Sequence, residues 1–433
     1  MPRDEIERIR NLFIGLEKKV YVEGKGKIQT INFDNAATTP VLKRVMKKIL
    51  DESELYSSIA RGDGQKSIYC SDYYEECREF ILNYFNAPSR KYTALFIGNT
   101  TEGINRLSRI LIKDINDVVI ATRMEHHSND LPWRGKCDLK YAEVDDKGRV
   151  KIDELEYILK NNKGKVKYVT ITGASNVTGY INDIRKVAKL AHKYGAKIIV
   201  DAAQLVAHKK IVMLGMTEEE DIDFLVFSAH KMYAPFGGGV IIGLKEAFNN
   251  CKPDMKGGGT VYMVRDYGET LLETPERNEP GSPNYFGAIT IIEALKTIDT
   301  IGFKAIEERE KEMLKYLIEG MKKIENVILY GDNENYEDRL GIVVFNIKGI
   351  NYEDVGEALA NNRAIAVRQG GFCAHPYVRR LLKIEDKDLD KYIAIYGVPG
   401  MVRVSLGMYN SKKEIDIFLD TIEMLASKVK WKY

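Results

Sequence analysis

Six short, near-continuous apolar runs most constrain how this chain can fold: residues 93–97, 118–121, 166–171, 198–200, 224–227 and 240–242. Each is bounded by polar or glycine-bearing residues, and helix-like segments such as 152–160 and 184–194 lie between several of them. Strands buried on both faces read as apolar runs rather than as strict alternations, and strands alternating with helices build parallel sheets. The expected architecture is therefore α/β with a mostly parallel sheet. From about residue 300 the texture changes. A long charged amphipathic stretch, 303–324, leads to strand candidates at 342–347, 364–367 and 402–404 and to a closing helix over 412–428. This pattern predicts a smaller α+β domain entered through a long helix. At the other end, Ile6, Ile9, Leu12, Phe13 and Leu16 recur at helical spacing, which predicts an amphipathic helix over the first twenty residues.

Composition narrows the function. The 433 residues are 44% hydrophobic and 30% charged, a globular balance. The 65 basic and 63 acidic residues leave a net charge of +2, which removes the electrostatic case for nucleic acid or an anionic membrane as partner and favours a small ligand. Cys70, Cys77, Cys137, Cys251 and Cys373 are odd in number and scattered, without C-x-x-C pairs or zinc spacing, so neither a disulfide framework nor a metal site is expected. The N-terminus lacks a signal-peptide core, and no apolar run approaches the roughly 20 residues that span a bilayer. A cytoplasmic protein is expected.

Three segments carry possible chemistry. Gly98-Asn99-Thr100-Thr101-Glu102 follows one apolar run and opens a helical pattern, which makes either an anion seat on free backbone N–H groups or an ordinary helix cap. Asp201 ends the run 198–200, with Gln204 three residues on, at the strand end where open α/β sheets place ligands. It would hold a protonated ring nitrogen or cap its loop. Ser228-Ala229-His230-Lys231 follows another buried run, where a desolvated lysine has the lowered pKa that bonding to a carbonyl requires. A phosphate seat, a carboxylate for a pyridinium nitrogen and a carbonyl-bonding lysine are together what pyridoxal phosphate needs.

With these segments in place, the chain resembles the class V, fold-type I pyridoxal phosphate enzymes, and within them the Suf-type cysteine desulfurases often grouped with selenocysteine lyases. The resemblance runs from Asn32-Phe33-Asp34-Asn35-Ala36-Ala37-Thr38-Thr39-Pro40 to Ser405-Leu406-Gly407-Met408-Tyr409-Asn410. It takes in Met124-Glu125-His126-His127-Ser128-Asn129 and Val200-Asp201-Ala202-Ala203-Gln204 on the way. The expected domains are a helical arm over 1–30 packing on the small domain, a large cofactor-binding α/β domain over 31–298 and a small α+β domain over 299–433 that carries Cys373.

By the same resemblance, Lys231 bonds the cofactor and moves protons, His126 stacks on its ring, Asp201 pairs with the ring nitrogen and Gln204 reaches the phenolic oxygen. Thr100, Thr101, Ser228 and His230 hold the phosphate. Asn176 and Arg403 bind the substrate carboxylate, where a bidentate guanidinium has no equal in lysine. Ser282, in Glu279-Pro280-Gly281-Ser282-Pro283-Asn284, belongs to a loop that reaches the neighbouring subunit's phosphate, which implies a homodimer.

The segment Arg368-Gln369-Gly370-Gly371-Phe372-Cys373-Ala374-His375-Pro376 resembles the family's R-x-G-x-x-C-A and makes Cys373 the nucleophile. Its thiolate would take sulfur from L-cysteine as a persulfide, leaving L-alanine, and would pass it to an acceptor; selenocysteine is a second candidate substrate. Two departures stand out. Gly371 and Phe372 replace the histidine pair usual before this cysteine, and Thr172-Gly173-Ala174-Ser175-Asn176 replaces the common T-H-V-S-N. The alternative reading is a class V aminotransferase, epimerase or lyase acting on another amino acid, for which Cys373 is a bystander. A catalytically weak, cofactor-binding partner of a sulfur-assembly complex is the third.

Overall fold

The computed structural model describes residues 3–59 and 62–427. All six apolar runs pair in one seven-stranded sheet, ordered Tyr92–Ile97, Gly239–Leu244, Phe224–Ser228, Lys197–Asp201, Val166–Thr172, Val118–Thr122 and Asp138–Ala142. Neighbours are parallel except Gly239–Leu244, which is antiparallel to the strands on both its sides. The edge strand Asp138–Ala142 escapes a search for apolar runs because it carries Asp138 and Lys140 and is only partly buried.

Successive residues of the inner strands enter opposite apolar clusters. Val118, Ile120, Ile198, Leu225 and Phe227 face one side, and Val119, Ile199, Phe224, Val226 and Ile241 face the other. Both faces are covered, which is why these strands read as continuous apolar runs.

A second, antiparallel sheet contains Val327–Leu329, Ile342–Ile347, Met401–Ser405 and Arg368–Gly370. With helices Phe303–Met321 and Lys412–Ser427 it encloses a separate core that includes Leu314, Phe345, Phe418 and Ile422. Lys428, placed in the closing helix by the sequence pattern, lies outside the described residues. The expected strand 364–367 is shorter, Ile365–Ala366, and pairs in parallel with Ile31–Asn32, whereas the next strand, Arg368–Gly370, joins the small sheet. Two neighbours claim successive residues of one extended segment. Before the long helix comes another, Tyr285–Ile301, which is buried almost all round and so shows no amphipathic stripe.

The N-terminal expectation needs correction. The helix is Arg3–Arg10, not the first twenty residues. Beyond it, Lys19–Val22 and Gly26–Gln29 form a hairpin whose turn includes Gly24 at φ +68°. Phe13, counted with the helix by spacing, instead packs 5.1 Å from the rings of both Tyr233 and Tyr409. Arg10 donates to the Tyr409 carbonyl at 3.1 Å and to Glu414 at 2.9 Å. Among the described residues no helix is long and apolar enough to cross a membrane.

The helix Thr100–Leu111 starts at the C-terminal end of Tyr92–Ile97, and Gly103 lets it lie close to the sheet. A Cβ there would stand 2.6 Å from both Ile97 Cδ1 and Val226 Cγ1. Gly103→Val is expected to destabilise the fold by about 1–3 kcal/mol through overpacking. Equilibrium denaturation should show a lower midpoint at unchanged slope.

Candidate active site

One cavity of about 700 Å³ opens where the C-terminal strand ends of the large sheet meet the small sheet, and Thr100, Thr101, His126, Asn176, Asp201, Gln204, Ser228, His230, Lys231, Cys373 and Arg403 all line it. Eleven of the twelve positions singled out from sequence thus converge on one space. The exception, Ser282, borders a different cavity beside Tyr74, Arg78 and Glu279.

The first wall is the turn after Tyr92–Ile97. Asn99 caps the helix by accepting from the Glu102 N–H at 2.9 Å, while Glu102 accepts from the Gly98 N–H at 2.7 Å. This reciprocal cap leaves the hydroxyls of Thr100 and Thr101 free for other partners. Thr100 Oγ1 lies 2.7 Å from Ser228 Oγ, and Thr101 Oγ1 lies 2.7 Å from Ser128 Oγ. Ser128 is a residue that sequence reasoning missed. Its backbone N–H donates to His126 Nδ1 at 3.1 Å, which assigns the proton to the other ring nitrogen. Burial, with Lys231 adding like charge, pushes the His126 imidazole down to about 3. The ring is neutral at physiological pH.

The floor is Asp201 and Lys231. Asp201 is buried, and its Oδ1 accepts from the Ala203 N–H at 2.9 Å. Burial raises its pKa, with the Ala203 N–H and Lys231 acting in the opposite direction. Lys231 closes a short 3-10 turn after Phe224–Ser228. Burial lowers its ammonium pKa, while the nearby Asp201 carboxylate raises it and the Arg403 guanidinium lowers it again. Burial and Lys231 likewise push His230 down to about 4.

The 32–40 segment earns its place by holding this floor. The Thr39 N–H and Thr38 Oγ1 both donate to the His230 carbonyl, at 3.0 and 3.1 Å. Ala36 accepts from Gln204 Nε2 at 2.8 Å, and its own N–H donates to Ser405 Oγ at 2.9 Å. Gly173, in the second departure from the family pattern, has its side-chain space taken, since a Cβ would stand 2.9 Å from Leu205 Cδ2.

The opposite wall comes from the small sheet. Arg403 on Met401–Ser405 is buried. It donates to the Asn176 carbonyl at 2.9 Å and to Asp34 Oδ1 at 3.0 Å, and its Nε is buried without a hydrogen-bond partner. Arg368 meets the other oxygen of Asp34 at 3.2 Å. Asp34 and Arg368 are two further residues that the sequence alone did not single out, although both lie inside recognisable motifs. Asn176 donates from Nδ2 to the Phe372 carbonyl at 2.8 Å.

Phe372 explains the first departure in part. Its ring is buried with Met124, Val177, Tyr377 and Met401, 5.2 Å below the Arg403 guanidinium, so the position serves packing. Cys373 follows, exposed at φ +52°, after Phe372 at φ +50°. Two consecutive left-handed residues that are not glycine mark a strained turn. By contrast Cys70, Cys77 and Cys137 are buried and Cys251 is half-buried, and burial pushes the Cys77 and Cys137 thiols up to about 12 and 11.

Comparison with known proteins agrees with this arrangement. The aminotransferase class-V family model matches residues 31–418. A cysteine desulfurase of Wigglesworthia glossinidia brevipalpis is 32% identical over 429 residues, covering 96% of this chain and 96% of that protein. A probable cysteine desulfurase of Pyrococcus abyssi is 33% identical over 412 residues, covering 93% and 96%. Among solved structures, the apo cysteine desulfurase of Thermococcus onnurineus superposes with a TM-score of 0.82 at 32% identity, over 92% of this chain and 95% of that one. A buried lysine and carboxylate at the strand ends of a mostly parallel sheet, an arginine facing them from a second sheet and these relatives lead to one conclusion: the chain belongs to the class V aminotransferase family of fold-type I enzymes and, within it, to the cysteine desulfurases.

Proposed function

We propose that this chain converts L-cysteine to L-alanine with pyridoxal phosphate as cofactor, taking the sulfur onto Cys373 as a persulfide for transfer to an acceptor protein. One observation carries the reading: the exposed cysteine and the buried lysine share a cavity that also contains a buried guanidinium with an unpartnered Nε. The residues suit the cofactor. Hydroxyls of Thr100, Thr101 and Ser228, with His230, gather at a helix N-terminus that favours a phosphate. Asp201 offers a carboxylate to the ring nitrogen, Gln204 an amide to the phenolic oxygen, and neutral His126 a face for the ring to stack on. Bound pyridoxal phosphate supplies an electron sink for charge at the substrate's α and β carbons.

Asn176 and Arg403 orient the substrate carboxylate. Lys231, with its lowered pKa, takes and returns a proton at the substrate α-carbon. The Cys373 thiolate attacks the substrate's γ-sulfur, the carbon–sulfur bond breaks with its electron pair moving to the β-carbon, and that carbon takes a proton. Selenocysteine, with a softer chalcogen in the same position, is a second substrate of the same geometry.

The proposal includes an arm over residues 1–30, a large domain over 31–298 and a small one over 299–433. Supporting it are the two separate sheets and their separate cores. It also includes a homodimer. The hairpin of Val261–Arg265 and Gly268–Leu271 exposes Tyr262, Val264 and Tyr267, and the last is fully exposed at 101%. So much apolar surface on one hairpin suits burial against a second copy, and the nearby loop would bring Ser282 to that copy's phosphate. The five cysteines form no disulfide, which suits a reducing compartment, and we place the protein in the cytoplasm.

Purified holoenzyme given L-cysteine and a thiol reductant should form alanine and sulfide in equal amounts. Cys373→Ala should lose both by at least about 100-fold while keeping the cofactor's absorption, since no other group supplies the sulfur acceptor. Alanine formation that survives the substitution would overturn the reading and favour an aminotransferase, epimerase or lyase. Arg403→Lys should raise KM for cysteine about tenfold in steady-state kinetics, because a point charge replaces a bidentate donor. Light scattering should give twice the 49.3 kDa chain mass, and the pair Tyr262→Glu with Val264→Glu should give monomers that lose cofactor on gel filtration.

A further inference from the structure

The turn that carries Cys373 contains a histidine to which the mechanism above gives no task. Gly371 has no side chain because His375 fills the space: a Cβ at Gly371 would stand 2.3 Å from His375 Cδ2 and 2.8 Å from its Nε2. Gly371 is not among the positive-φ positions, so room for the imidazole, not backbone freedom, is what glycine provides here. The His375 ring meets His127 edge-on, with centroids 4.6 Å apart at 80°. His127 clamps the turn at both ends. Its backbone N–H donates to the Cys373 carbonyl at 2.6 Å, and its Nε2 accepts from the His375 N–H at 3.2 Å. His375 and Cys373 line the same cavity.

We propose that His375 is the proton acceptor for the Cys373 thiol, an imidazole two residues beyond the cysteine in the same turn. The inference rests on the reading of Cys373 as the sulfur-accepting thiol. In the step, the S–H bond breaks, its electron pair stays on sulfur and the proton passes to a His375 ring nitrogen. The balance closes through solvent at the exposed rim: Cys373 gives up one proton, and the new C–H bond at the alanine β-carbon takes one. The charged and titratable groups facing this turn are His127 with Asp130 and Arg134 behind it, Arg368 and His126 along the cavity wall, and Lys231 and Arg403 on the floor and the opposite wall of the same cavity. His127 is already committed as an acceptor, which leaves His375 as the imidazole for the thiol.

The test is the rate of iodoacetamide labelling of Cys373 in the holoenzyme between pH 5 and 10, with Cys373→Ala as the blank. His375→Gln is expected to raise the midpoint of thiolate reactivity by about one pH unit and to slow labelling at pH 7 about tenfold. Superimposable profiles would overturn the proposal. A second measurement needs no variant at His375: NMR titration of its ring in the wild type and in Cys373→Ala should show the midpoint moving when the thiol is removed, and an unmoved midpoint would equally overturn it. Neither readout uses substrate cysteine, so failure here is distinct from failure of the desulfurase reading.

Discussion

Arg403 carries its guanidinium out of water at the junction of two sheets, and the candidate site depends on that junction. The strand that bears it belongs to the small sheet, whereas the Asn176 carbonyl it donates to follows the large-sheet strand Val166–Thr172. Asp34 supplies the opposite charge and lies in the segment that also pins the His230 carbonyl. A buried charge left without its partner costs about 3–5 kcal/mol, so the three groups hold the sheets in one relative position. That position lets a cysteine from the small sheet's side reach a cavity floored by a lysine from the large sheet's side. The guanidinium is a structural tie that still keeps a buried Nε without a partner.

Electrostatics inside the cavity follow from the same burial. His126 and His230 are both held neutral, and Lys231 is pushed toward its neutral amine while Asp201 draws it back. The cavity thus keeps its permanent positive charge on arginine, the one cation that burial does not readily neutralise. Its imidazoles remain available for stacking and hydrogen bonding. Burial separates the cysteines in a similar way, since it holds the Cys77 and Cys137 thiols protonated, whereas the strained turn exposes Cys373.

How much of this was legible beforehand can be argued from particular residues. The inner strands announced themselves because both faces of the sheet are covered, and Lys231, Asp201 and the Thr100 turn were recognisable because each stands next to such a strand. The edge strand Asp138–Ala142 and the helix Tyr285–Ile301 were not legible, one too polar for a run and the other too apolar for a stripe. The N-terminal spacing misled for a different reason. Phe13 is apolar because it packs between Tyr233 and Tyr409, contacts that no local periodicity records.

Local chemistry therefore determined what the chain by itself could determine: strand burial, helix caps, the order of the motifs and the identity of the residues that carry charge, thiol and amine. Tertiary structure decided what those residues meet. That Asp34 joins Arg403 and Arg368, that Phe372 is a core side chain, and that Gly371 is small because His375 occupies its space are facts about groups far apart in sequence or on opposite sides of a turn. Periodicity reports only which way a side chain points along its own element. Which atoms fill the space it points into is settled by close packing between elements.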